Sequence, residues 1–122
     1  MNWQKYHPIF QPHEFVCRCG CGLNDMDAAH MGRLYDARLI ADIPFVINSG
    51  HRCIAHNRTV GGSRNSDHLS GHGTDIRCTD SAQRWIIIDA LLHAGFRRIG
   101  IAKTFIHAGS DPRLPQEVVW TY

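Results

Sequence analysis

Apolar positions along the chain follow two periodicities. Between residues 26 and 41 they recur at helical spacing, with Met26, Leu34 and Leu39 as core candidates and Asn24 or Asp25 standing where a cap belongs. A second helical stretch is capped by Asp80 or Ser81, runs through Trp85, Ile88 and Leu92, and is closed by Gly95. Short β-branched runs bounded by turn residues predict strands over 45–48, 75–78, 98–102, 104–107 and 117–122. Pro8 and Pro12 make 1–13 an irregular arm, and the glycine-rich segment 17–22 reads as a knuckle-like loop. Residues 49–74 hold Gly50, Gly61, Gly62, Gly71 and Gly73 and predict a long irregular stretch, the kind that carries function inside a compact domain. The pattern is α+β: a small, mostly antiparallel sheet with helices against one face.

Composition narrows the field. A chain of 122 residues predicts one domain, 1–122, and 43% hydrophobic with 20% charged residues excludes wholesale disorder. A net charge of +2 is too balanced to point to a nucleic acid or a membrane as partner. No apolar run approaches the ~20 residues of a membrane span. The opening MNWQKYHPIF lacks the apolar core of a signal peptide, so the expectation is a protein made in the cytoplasm. What stands out is 9 histidines and 5 cysteines, the residues that bind metals.

The most informative segment is Ser66-Asp-His-Leu-Ser-Gly-His-Gly-Thr-Asp75. Zinc takes imidazole nitrogen and carboxylate oxygen at about 2.0–2.2 Å, and a catalytic site supplies three such ligands. His68 and Asp75 lie seven residues apart across two glycines, a loop able to fold back on one ion. His107, at the end of a predicted strand, is the best-placed third ligand. Spacing alone leaves the plainer alternative open, in which these are surface or capping histidines.

The segment Ser-x-His-x-x-Gly-x-x-x-Asp, preceded by Ser49-Gly-His-Arg-Cys53 and followed by Phe105-Ile-His107, resembles the zinc D-alanyl-D-alanine carboxypeptidase-like peptidases of murein, above all their short bacteriophage and prophage branch. Glu14-Phe15, Cys17-Arg-Cys-Gly-Cys-Gly22, His56-Asn57, Val60-Gly-Gly62 and Val119-Trp120 extend the resemblance over nearly the whole chain. It implies the small α+β fold shared with the hedgehog signalling domain, and His68, Asp75 and His107 as ligands of one catalytic zinc. It implies metal-assisted hydrolysis of the peptidoglycan stem peptide by a monomer, acting at the wall after phage-type release or as a virion component. Arg52 would face the scissile carbonyl or the substrate carboxylate, a task suited to a rigid, always-charged fork. Ser66 would bond within its loop or to the substrate.

Two features depart from that pattern or stay open. Relatives carry an acid three residues before the last zinc histidine, or two after it as His-x-Asp; here those places are Thr104 and Gly109. Asp111 is the nearest acid and the candidate general base, although Ser110-Asp-Pro112 also describes a turn. His51 and His72 are the other candidates for proton transfer. Without a base, the alternative is a zinc-holding module that binds wall peptide, or serves a structural role, without cutting. Cys17, Cys19, Cys21 and Cys53 fit a second, structural metal, a disulfide or free thiols equally. Cys78, ending a strand, reads as a small buried hydrophobe.

Overall fold

The structure, a computed structural model, describes residues 1–122. Its helices are α1 (Ala28–Ala41), α2 (Ile54–Thr59) and α3 (Ser81–His93), and its strands β1 (Ile47–Ser49), β2 (Gly73–Arg77), β3 (Arg98–Ile101), β4 (Phe105–Gly109) and β5 (Val118–Thr121). Single 3-10 turns occupy Trp3–Tyr6, Pro12–Glu14 and Asp67–Ser70. The strands form one sheet in the order β1-β2-β4-β3-β5; every pairing is antiparallel except β3 with β5. This is the small α+β architecture expected from the sequence, with one parallel edge strand.

The period-2 alternation of strands divides the sheet chemically. Ile47, Thr74, Ile76, Ile99, Ile106 and Ala108 are buried on one face, and α1 and α3, packed on each other, cover it. Polar residues therefore collect on the other face. β2 can hold Asp75 between Thr74 and Ile76 because its neighbours supply the core contacts. No helix is long and apolar enough to cross a membrane.

Four expectations change. The cap of α1 is Asp27, whose side chain accepts from the His30 N–H; it is neither Asn24 nor Asp25. Residues 25–27 stay extended because they dock on the next loop: Asp25 N–H donates to His51 Nδ1 and Asp27 N–H to the Gly71 carbonyl. Leu39 is half exposed rather than core, since five residues beyond Leu34 lies about 140° round the helix. The arm is not irregular: Tyr6 and Phe10 are buried, and Phe10 meets Phe15 edge-on at 5.5 Å between ring centres. The stretch 49–74 likewise contains α2 and a 3-10 turn.

Candidate metal centre

Strand register sets Ser49, Asp75, His107, Gly100 and Trp120 in one row across the polar face, each paired with the next. Asp75 and His107 are direct cross-strand neighbours, the closest side-chain relationship an antiparallel pair offers. The third member arrives from a loop. Ser66 caps the 3-10 turn Asp67–Ser70 by accepting from the His68 N–H at 3.1 Å. Gly71 ends that turn in the left-handed region at φ 76°, with the Asp25 carbonyl 2.2 Å from where a Cβ would stand, so only glycine lets the loop return to β2.

Hydrogen bonding then fixes both imidazoles. His68 Nδ1 lies 2.6 Å from the Gly50 carbonyl, which can only accept, so Nδ1 carries the proton and the Nε2 lone pair points at Asp75 Oδ1, 3.2 Å away. His107 Nε2 donates to Asp67 Oδ2 at 2.9 Å, and its Nδ1 sits 2.8 Å from the same Asp75 oxygen. The donor atoms of His68, Asp75 and His107 all lie within 4.8 Å of one another, and all three residues are buried. Burial works against an imidazolium at His107, yet the protonated ring would donate to both Asp67 and Asp75, which outweighs burial and raises its pKa. At His68 burial prevails and lowers the pKa. Burial also opposes an ionised Asp75, but the two imidazoles set against it favour the carboxylate and hold it well below the usual carboxylate range. Lone pairs facing a carboxylate with no proton between them form a set that calls for a cation, and a second nitrogen anchored to a carbonyl or carboxylate is how histidine ligands are held. The donor set fits zinc.

Arg52 borders this cluster in a cavity of about 440 Å³. Its guanidinium donates to Asp75 Oδ2, Asn57 Oδ1 and Ser49 Oγ at 3.1–3.2 Å, which holds the fork toward the row. Ser66 lines the same cavity, and Phe105, Trp120 and Tyr122 give it an aromatic wall. The Trp120 ring stands 5.5 Å from that of His107 and lies over Gly100, where an added Cβ would meet its Nε1 at 2.7 Å.

Asp111, His51 and His72 are not brought to the cavity. Asp111 is bound by Arg113 and Ser70, and the Arg113 guanidinium holds its carboxyl well below the usual carboxylate range. His51 accepts from Asp25 N–H and lies 3.1 Å from the Leu69 carbonyl, bracing two loops. His72 pairs with Ser70 and Asp27. Sequence reasoning missed Asp67 and Arg98. Asp67 is buried, accepts from Arg98 Nε, His107 Nε2 and the Asp111 N–H, and stays ionised because those bonds outweigh the effect of burial. The signal was present at Gly109, the place where an acid was expected. A Cβ there would meet Asp67 Oδ2 at 2.4 Å, so Asp67 occupies the space a side chain at 109 needs. The structure also gathers Cys17, Cys19, Cys21 and Cys53, all as free thiols, while Cys78 lies apart in the core.

No curated protein matches the chain. A family model described as Peptidase M15 matches residues 8–109, a span that contains Ser49, Arg52, His68, Asp75, Gly100 and His107 but not Trp120 or Tyr122. The chain belongs to the M15 peptidases, the family of zinc D-alanyl-D-alanine carboxypeptidase-like enzymes.

Proposed function

We propose that the chain is a zinc-dependent peptidase acting on the stem peptides of bacterial peptidoglycan, with His68 Nε2, Asp75 and His107 Nδ1 as the metal ligands. The observation that carries this reading is the convergence of those two lone pairs on one buried carboxylate, each ring fixed from behind by Gly50 or Asp67. Zinc held there supplies Lewis acidity, polarising a scissile carbonyl and making water nucleophilic near neutral pH. The chain's own residues do the rest. Arg52 presents its fork to the carbonyl oxygen or to the substrate carboxylate, oriented by Ser49, Asn57 and Asp75. Asp67 keeps His107 in the tautomer whose Nδ1 lone pair faces Asp75. The aromatic wall of Phe105, Trp120 and Tyr122 excludes water and packs a short peptide. We place the monomer at the cell wall, reached by phage-type release or as part of a virion.

A second reading has its own support. The only carboxylates lining the cavity are Asp67 and Asp75, one committed to Arg98 and His107, the other to the ligand cluster. With no free acid to move a proton, the same pocket suits a module that holds zinc and wall peptide without cutting. Incubating the zinc-loaded protein with purified murein and assaying new amino termini separates the two. Release that disappears in His68→Ala supports the peptidase; no release together with retained murein binding supports the module.

A further inference from the structure

We infer that Cys17, Cys19, Cys21 and Cys53 form a second metal site, a tetrathiolate centre for zinc or a similar thiophilic divalent ion, separate from the His68–Asp75–His107 cluster. A tetrahedral ion with Zn–S bonds near 2.3 Å sets its sulfurs ~3.8 Å apart. Cys19 Sγ stands 3.5 Å from Cys17 Sγ and 3.7 Å from Cys53 Sγ, and all four sulfurs lie within 4.8 Å of one another. Paired disulfides would instead draw two sulfurs to about 2.05 Å and need no fourfold convergence.

The backbone around the sulfurs is shaped for this. Gly20 and Gly22 take left-handed φ of 89° and 82°, which folds 17–22 into a knuckle closed by a 2.8 Å bond from Cys17 N–H to the Leu23 carbonyl. The Cys53 N–H donates to Cys17 Sγ at 3.4 Å and the His56 N–H to Cys53 Sγ at 3.3 Å, partners that favour thiolates over thiols. Arg18 secures the knuckle from outside, donating to the carbonyls of His13, Glu14, Val16, Ile47 and Asn48. Cys17 is buried and Cys53 half-buried, while Cys19 and Cys21 are exposed, so an ion reaches the site from solvent. Binding replaces four S–H protons by four metal–sulfur bonds and releases the protons to water. The ion joins the knuckle to Cys53, which caps α2 and directly follows Arg52. It therefore clamps the segment that carries the cavity's guanidinium.

The test is metal content and thiol chemistry on the intact chain. Zinc-loaded protein should hold about two ions, His68→Ala about one, and cobalt-exchanged His68→Ala should show intense sulfur-to-cobalt charge-transfer absorption. Replacing the two exposed ligands, Cys19→Ser with Cys21→Ser, should remove one ion and that absorption while the histidine-cluster ion stays. The inference fails if folded His68→Ala holds no metal and its four thiols alkylate freely. It fails equally if the mass of the unreduced protein shows those cysteines joined as disulfides. A wild-type protein whose single ion survives His68→Ala with the thiolate signature supports the cysteine site and removes the ligand set proposed for the peptidase.

Discussion

The Asp67 carboxylate and the bare backbone of Gly109 share one space: a Cβ at 109 would lie 2.4 Å from Asp67 Oδ2 and 2.7 Å from Cγ. Asp67 sits on the turn before β2 and Gly109 ends β4, so an acid supplied by the loop replaces one that the strand lacks. From this place Asp67 reaches His107 Nε2, Arg98 and the Asp111 N–H together.

Removing that carboxylate should loosen the histidine rather than delete a ligand. Asp67→Ala is expected to weaken zinc binding by about 10- to 100-fold, the usual cost of losing the partner behind a ligating histidine. Adding Gly109→Asp to Asp67→Ala should recover part of the loss, whereas Gly109→Asp alone should lower stability by crowding two buried acids. Chelator competition and thermal melts of the four proteins check this. Unchanged affinity in Asp67→Ala would show that His107 is held by packing alone.

Arg52 is a separate case because its three bonds leave from three different nitrogens. A lysine ammonium has no such fork, so Arg52→Lys should keep its zinc yet cut peptide about 10²- to 10³-fold more slowly. Zinc stoichiometry measured beside the rate of amino-terminus release decides it. Loss of metal along with rate would assign Arg52 to holding Asp75 instead.

Stability should fall toward acid through His30. Burial pushes its pKa from 6.5 down to about 3, and Ser110 and Thr74 occupy its two nitrogens. Below pH 6.5 the unfolded chain binds a proton that the folded one refuses, so His30 progressively lowers stability as the pH falls toward its folded value. His68, also lowered by burial, acts in the same direction. His107 has the opposite sign: its raised pKa stabilises the zinc-free protein below 6.5, and that contribution is lost as pH rises through the folded value. Urea unfolding between pH 4 and 7 should give a shallower acid limb for His30→Gln. An unchanged limb would place the acid sensitivity elsewhere.

Much of this was legible because the signals were local. Ile76 and Ile106 flank Asp75 and His107 in strands whose alternation fixes the buried face, and the motif pointed to the three residues, His68, Asp75 and His107, that the structure gathers. Asp67 was hidden because its partners, Arg98 and His107, lie 31 and 40 residues away, and its one sign, the bare Gly109, is just as distant along the chain. Tyr6 and Phe10 were hidden by Pro8 and Pro12, which break the look of an element without preventing burial. Asp111 was misleading for a related reason: closeness to His107 in sequence did not survive the turn, where Arg113 captured its carboxylate.

Two glycines provide a test of packing against propensity. Gly32 lies inside α1 with nothing within 4 Å of an added Cβ, so Gly32→Ala should stabilise the protein by about 0.4–1 kcal/mol by restricting the unfolded chain. Gly100 lies in β3 under the Trp120 indole, whose Nε1, Cε2 and Cζ2 would stand 2.7–3.0 Å from its Cβ. That ring cannot retreat freely, since Arg98 stacks on it at 5.1 Å and His107 lies beside it. Gly100→Ala should therefore cost about 1–3 kcal/mol and displace the cavity wall. Denaturant unfolding gives both signs, and a shift in tryptophan emission in Gly100→Ala alone would tie its loss to Trp120. If both variants moved stability in the same direction, close approach of the indole would not be what holds glycine at position 100.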